Sequence, residues 1–213
     1  MGKYTYAAKN LMLNALKGTA PGTPITHAGL MTAAAAPLTG VTAVTSTDTF
    51  TKTSHGLANG DVVILTSVTG GSGGSDPLRY GNAGNGDENA EPFFVIGQTA
   101  NTFQLSRTSG GSAVDIGTDI TAATVTRLTE ISGGSPAYAR KAIAYNAAAD
   151  GIMDDSTNGA VFDVPAAGVV DYVSYHSAST AGTLLGIDKV TQETFAAQGT
   201  YTLTDSDLDL LAA

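Results

Sequence analysis

The composition of the chain excludes several classes of protein. With 213 residues it can bury a hydrophobic core, and the absence of cysteine excludes disulfides, thiolate nucleophiles and cysteine-bound metal centres. The formal net charge of −9, with only ten Lys and Arg residues, argues against nucleic acid as a partner.

The sequence also argues against a membrane protein. It contains no run of about 18 apolar residues, and its first residues lack the apolar core of a secretory signal. We therefore expect a protein made in the cytoplasm. Charged residues make up only 14% of the chain, and the many Gly, Ala, Thr and Ser residues favour closely packed strands and turns. The composition predicts a mainly β fold.

The first predicted element is a helix over residues 4–16. Its apolar positions share one face, and Gly18 can end it. We expect this helix to pack on its own domain. The alternative is a partner-binding surface, in which Tyr4, Leu11 and Leu16 would make the contacts.

A strand, ITHAGLMTA, follows the helix, and after it come six short strands between residues 41 and 131. They are VTAVTS, TFTKT, DVVILTSV, PFFVIGQ, NTFQLSRT and AATVTRLTEI. We expect Asn59 and Gly60 to supply the positive-φ residues of a tight turn. In TFQLS, Phe103 and Leu105 alternate with Gln104 and Ser106, which predicts one buried face. Residues 38–131 are predicted to form an inserted small β-barrel-like module.

The remaining residues, 1–37 and 132–213, are predicted to form one discontinuous, sandwich-like shell domain. Alternation puts Phe162 and Val164 on one face of AVFDV, and Val173 and Tyr175 on one face of VVDYVSYH. The C-terminal strand GTYTL has its tyrosine and leucine inward and its threonines outward. Because the ends of a domain often lie close together at the surface, an insertion between its two halves is geometrically reasonable.

Four segments of the shell domain together resemble a family of virion accessory proteins of tailed bacteriophages, described as tail-fibre-like or head-decoration-like. The matching segments are GLMT (29–32), YAR (138–140), FDVPA (162–166) and SASTAGTLL (177–185). The resemblance covers roughly 1–37 and 132–213. It implies a non-enzymatic component of a virion that binds other virion proteins, such as the major capsid or tail proteins, and that forms a homo-oligomer. A trimer is the expected form.

The inserted module has a second resemblance. SHGLANGDVVILT followed by PFFVIGQTANTFQLS is similar to a small β module found in many phage tail and structural proteins, which carries a variable loop between these two parts. Here the loop, 69–91, is unusually long and rich in Gly, Asn and acidic residues. We interpret it as a tolerated insertion. The alternative is a host-glycan-binding adhesin of a tail fibre or tail tip, with Tyr80, Asn82 and Asn85 as contacts.

No motif in the sequence indicates catalysis, so we expect no enzymatic activity and no cofactor. Calcium is the one metal that the acidic stretches could bind, although neither stretch has the spacing of a calcium-binding loop. The candidate ligands are Asp76, Asp87, Glu88 and Glu91 in the loop, and Asp150, Asp154, Asp155 and Asn158 after it. The three histidines have no metal-ligand spacing, and His55 is predicted to be a hydrogen-bonding structural residue. The resemblance to phage virion proteins implies that the protein is located in the virion.

Overall fold

The computed structural model describes residues 3–4, 24–71, 91–146, 152–153, 159–204 and 208–209; in the three two-residue pieces it describes the backbone pairing only. Every helix or strand in this part of the chain is a β-strand, which confirms the prediction of a mainly β fold. The strands are β1 (Lys3–Tyr4), β2 (His27–Ala33), β3 (Leu38–Val44), β4 (Thr49–Thr51), β5 (Val62–Gly70), β6 (Phe93–Ile96), β7 (Thr102–Ser106), β8 (Ile120–Glu130), β9 (Lys141–Ala142), β10 (Ile152–Met153), β11 (Ala160–Val164), β12 (Val169–His176), β13 (Leu184–Thr194), β14 (Gly199–Leu203) and β15 (Leu208–Asp209). The described part of the chain contains no helix that is long and apolar enough to span a membrane.

The chain forms two compact units. The shell unit contains Met1–Thr32 and Glu130–Ala213, and the barrel unit contains Ala33–Thr129. The sequence-based boundaries of the insert were 38 and 131. The chain thus passes from the shell unit to the barrel unit after Thr32 and returns after Thr129.

The barrel unit is a closed six-stranded β-barrel. Antiparallel pairing runs from β3 to β4, β7, β6, β5 and β8, and β8 closes the ring by pairing with β3. Closure leaves no sheet edge within the ring, so the backbone groups of all six strands have neighbours on both sides.

Alternating apolar residues fill the barrel. The interior is formed by buried residues from all six strands and the loops between them: Val41, Ala43, Phe50, Leu57, Val63, Leu65, Phe93, Val95, Phe103, Leu105, Val114, Ile116, Ile120, Ala123 and Val125. The rings of Phe50 and Phe103 stack with their centroids 5.4 Å apart. Ile64 and Phe94, on the opposite face of their strands, are also buried. Strands β5 and β6 therefore carry buried side chains on both faces.

Because neighbouring strands run in opposite directions, the connections of the barrel fall at two ends. The linking end contains the connections 52–61 and 97–101, and there the chain also enters and leaves the unit. The N–H of Ala34 donates to the carbonyl of Arg127 at 2.8 Å, so these two points are adjacent. The loop end contains the connections 45–48, 71–92 and 107–119.

The shell unit contains a sheet in the order β1-β13-β12-β2-β9 and two separate two-stranded antiparallel sheets, β11 with β14 and β10 with β15. One face of β2 and β12 packs with the β11–β14 pair. Its core consists of Ala28, Leu30, Ile131, Ile143, Ala160, Phe162, Val164, Val170, Val173, Tyr175 and Leu203. The predicted inward positions of β11, β12 and β14 are confirmed by this core, with Tyr201 packing at its border. Strand β12 is buried on its other face as well, where Tyr172, Ser174 and His176 lie.

The predicted N-terminal helix is not supported. Tyr4, which the prediction places in the helix, lies in strand β1, where it pairs with Gly186 of β13. An apolar period of 3.6 residues does not report the backbone pairing of an edge strand, so the sequence pattern carried no sign of β1. The remainder of the predicted helix, including Leu11 and Leu16, lies outside the described residues.

Candidate functional site

His55, at the linking end of the barrel, is fixed by hydrogen bonds to the backbone. Its Nδ1 accepts the N–H of Leu57 at 3.0 Å, and its Nε2 lies 3.3 Å from the carbonyl oxygen of Thr102. Since Nδ1 accepts, Nε2 carries the proton and donates to Thr102. The ring also packs edge-on against Phe103, with 5.0 Å between centroids. The predicted structural role of His55 is confirmed.

The other polar residues of the same motif also bind backbone groups. Asn59 Oδ1 accepts the N–H of Gln98 at 2.9 Å, Asp61 Oδ2 accepts the N–H of Ala58 at 2.9 Å, and Asn101 Oδ1 accepts the N–H of Ser54 at 3.0 Å. These bonds satisfy turn N–H groups, as Asn and Asp side chains commonly do. At the linking end, the side chains of Asn59 and Asn101 therefore tie the connections 52–61 and 97–101 to each other.

The turn at residues 59–60 differs from the prediction in one detail. Gly60 has a φ of 92°, but Asn59 is not among the residues with positive φ. The side chain of Asn59 instead reaches across to the 97–101 connection. The motif needs Asn at this position for that hydrogen bond and not for a left-handed backbone.

At the loop end, both stems of the long connection are held to the barrel. The N–H of Gly71 donates to the carbonyl of Asp119 at 3.3 Å. Glu91 forms a buried ion pair with Arg107, with 2.5 Å between Oε2 and Nη1. The guanidinium of Arg107 lies over the ring of Phe93, 5.5 Å from its centroid. The connection thus begins and ends at fixed points of a closed barrel.

Glu91 was one of the candidate calcium ligands, and the structure pairs it with Arg107 instead. A carboxylate neutralised by a buried guanidinium is poorly available to a cation. The other candidate ligands, Asp76, Asp87, Glu88, Asp150, Asp154, Asp155 and Asn158, lie outside the described residues. Among the residues that are described, no three His, Asp or Glu side chains are placed to hold a metal ion together.

A polar cluster in the shell unit joins residues that are far apart in sequence. Arg140 donates from Nε and Nη2 to the two carboxylate oxygens of Glu130, at 2.7 and 2.6 Å. The hydroxyl of Tyr138 accepts the N–H of Leu30 at 2.7 Å and lies 3.3 Å from Glu130 Oε1. Burial raises the pKa of Tyr138 far above its ordinary value, so the phenol stays neutral.

Gly29 is required by this cluster. A Cβ atom at position 29 would lie 2.9 Å from Ser174 Oγ, 3.0 Å from the Tyr138 hydroxyl and 3.2 Å from Glu130 Oε1. The absence of a side chain lets three polar groups approach the backbone of β2.

Ser174 and His176 extend the cluster along β12. Nε2 of His176 lies 2.9 Å from Ser174 Oγ, and both residues are buried. Burial, followed by the positive charge of Arg140, lowers the pKa of His176 from 6.5 to about 4. Since Ser174 is fully buried, a substrate cannot reach its hydroxyl in this structure, and the pair makes a structural hydrogen bond.

The cluster brings together segments that the sequence marks only through a resemblance. Residues 29–32 and 138–140 meet at the Tyr138 hydroxyl, and Arg140 Nη1 donates to the carbonyl of Ala178 in the 177–185 segment at 3.1 Å. The sequence does not indicate that Glu130 and Ser174 belong to this cluster, because a Glu in TRLTEI and a Ser in a strand carry no local signal.

Of the residues proposed from the sequence for partner binding, Tyr4 alone lies in the part of the chain that the structure describes. Tyr4 pairs through its backbone with β13. Leu11, Leu16, Tyr80, Asn82 and Asn85 lie outside the described residues.

Comparison with known proteins gives no match. No protein-family model, curated protein or solved structure matches this chain. Function is therefore inferred from the geometry of the two units and from the sequence motifs.

Proposed function

We propose that this protein is a non-enzymatic structural component of a tailed-phage virion, which binds other virion proteins on the capsid exterior or on the tail. The observation that carries the proposal is the arrangement of the chain connections in the barrel unit. Its chain connections to the rest of the protein are adjacent at one end, and a long connection with two fixed stems leaves the other end. This arrangement suits a module that presents a loop from a rigid base.

The use of polar residues in both units supports a structural role. His55, Asn59, Asp61 and Asn101 bind turn backbone in the barrel. In the shell unit the hydrogen bonds of Tyr138 with Leu30 and of Arg140 with Ala178 tie together segments distant in sequence. Polar groups committed to folding in this way favour a scaffold over a site that must exchange hydrogen bonds with a substrate.

In this proposal the shell unit is the sandwich-like body that binds neighbouring copies and other virion proteins. On the outward face of the β11–β14 pair the exposed side chains of Val161, Thr200 and Thr202 are small and uncharged, and Asp163 lies beside them. Such faces allow close approach between protein surfaces. The protein is made in the host bacterial cytoplasm and then incorporated into particles as a homo-oligomer, with a trimer as the expected form.

A second candidate function is host-glycan binding, with the barrel as an adhesin of a tail fibre or tail tip. The observation that favours it is the pair of fixed stems at Gly71 and Glu91, since recognition loops are commonly held on rigid scaffolds. Tyr80, Asn82 and Asn85 of this connection would then supply the contacts.

Immunogold electron microscopy of purified particles, with antibody against the barrel unit, tests the proposal. Gold on the head or tail of intact particles is the expected result, and particles free of both gold and the protein would refute it. A variant in which residues 72–90 are replaced by a short Gly-Ser linker separates the two functions. Unchanged incorporation and unchanged adsorption to host cells support the structural role, whereas normal incorporation with lost adsorption supports the adhesin.

A further inference from the structure

One end of the shell sheet is closed by a small set of hydrogen bonds around a buried histidine. The N–H of Thr26 donates to the carbonyl of His176 at 2.9 Å, and Thr26 Oγ1 donates to the carbonyl of Ser177 at 2.8 Å. Arg140 Nη1 donates to the carbonyl of Ala178 at 3.1 Å. We call these residues, with His27, the His176 junction.

The His176 side chain is poorly placed to carry a proton. Its Nε2 has Ser174 Oγ as a partner, while its buried Nδ1 makes no hydrogen bond of normal geometry within the described residues. An imidazolium has two donors and therefore needs two acceptors. A weak interaction with the backbone of Gly182 favours the charged form, but burial outweighs it.

The charged groups around His176 add to this cost. Arg140 repels a proton on His176, and His27, its cross-strand neighbour on β2, does the same more weakly. Glu130 attracts the proton, but both of its oxygens already accept hydrogen bonds from Arg140. Other described residues at this end of the sheet are the neutral Tyr138, the apolar Leu184 of β13, and Lys141 of β9, which is paired with Asp163 at 3.7 Å.

We propose that the His176 junction is an acid-operated switch: proton uptake by His176 opens this end of the shell sheet while the barrel unit stays folded. Opening exposes the ring to water, where an imidazolium is solvated and Arg140 is screened. The bonds from Thr26 and Arg140 to the 176–178 backbone are the ones that break. The barrel histidine, His55, lies in the other unit and has both ring nitrogens in hydrogen bonds with the backbone.

The direction and size of the response follow from linkage. The closed form binds a proton on His176 with a pKa of about 4, and the opened form binds it with the ordinary value of 6.5. The closed form is therefore fully favoured above pH 6.5 and loses its advantage as the pH falls toward 4. Between pH 7 and pH 5 the ratio of open to closed forms should rise on the order of 20-fold.

Hydrogen–deuterium exchange of the full chain at pH 7 and pH 5, corrected for intrinsic exchange rates, measures this opening. Peptides that cover 24–30 and 174–184 should lose protection by roughly 20-fold, and barrel peptides that cover 62–66 and 103–106 should not change. In His176→Gln the acid response should disappear, and in the matched control His55→Gln it should persist in the shell peptides. Equal acid responses of wild type and His176→Gln would overturn the proposal.

Proton NMR of the wild-type imidazoles keeps the proposal testable if His176→Gln does not fold. The chain has three histidines, so spectra of His27→Gln and His55→Gln assign the third resonance to His176. A titration midpoint near the value of 4 supports the switch. A midpoint near the ordinary 6.5 overturns it, because the closed form would then accept the proton without cost.

Discussion

Replacing Tyr138 with Phe isolates the contribution of one hydroxyl group to the shell unit. The hydroxyl accepts the N–H of Leu30 at 2.7 Å, and Leu30 is fully buried. The aromatic ring, which stacks on Phe162 with 6.3 Å between centroids, is retained in the variant. The loss of stability is therefore that of a buried N–H left without its acceptor, about 1–3 kcal/mol.

Guanidinium unfolding followed by far-UV circular dichroism measures this loss. The control is Tyr201→Phe, since Tyr201 borders the same core but its hydroxyl makes no hydrogen bond within the described residues. We expect a change below about 0.5 kcal/mol for the control. If Tyr138→Phe is as stable as the control, the N–H of Leu30 has another acceptor and the reasoning about the cluster is wrong.

Three further outcomes are expected. Phe103→Ala should destabilise the barrel by about 3–5 kcal/mol, because it leaves a cavity beside Phe50; a loss below about 1 kcal/mol in chemical unfolding would contradict the packing. Glu91→Gln should cost about 3–5 kcal/mol because it removes one partner of a buried ion pair, and replacing both residues with Met should restore much of the loss; no recovery in thermal unfolding of the double variant would contradict this. The folded-state pKa of His176 is lowered, so on acidification the unfolded chain binds this proton first. The free energy of unfolding should therefore be unaffected above pH 6.5 and should fall by up to about 3 kcal/mol as the pH decreases toward 4. Unfolding of His176→Gln and wild type at each pH measures this contribution, which the variant should lack.

Local patterning predicted much of the β structure. In β7, Phe103 and Leu105 are buried as the alternation requires. Ser106, predicted to face outward, is also buried. Burial is tolerated because its hydroxyl donates a hydrogen bond to the carbonyl of Thr108, just after the end of the strand. A hydroxyl that donates to a nearby backbone carbonyl can be buried with its hydrogen bond satisfied, and the pattern of apolar residues does not show this.

The polar cluster of the shell unit could not be predicted from the residues alone. Glu130 and Arg140 lie near each other in sequence, but Gly29 and Ser174 meet them only through the register of β2 against β12. A shift of one residue in that register would turn Ser174 to the other face. Register depends on the packing of both faces at once, and for β12 the sequence indicated only the face with Val173 and Tyr175.

The chain enters and leaves the barrel at adjacent points, and this affects how easily the unit can be inserted into another protein. Ala34 and Arg127 are joined by a backbone hydrogen bond of 2.8 Å, so the ends of the module are already held together. If the unit is inserted between two neighbouring residues of a surface turn, the entropy cost of closing that turn is small. The recipient protein can then keep its own fold. The geometry of the barrel unit therefore suits its insertion, as one piece, into a surface turn of another protein.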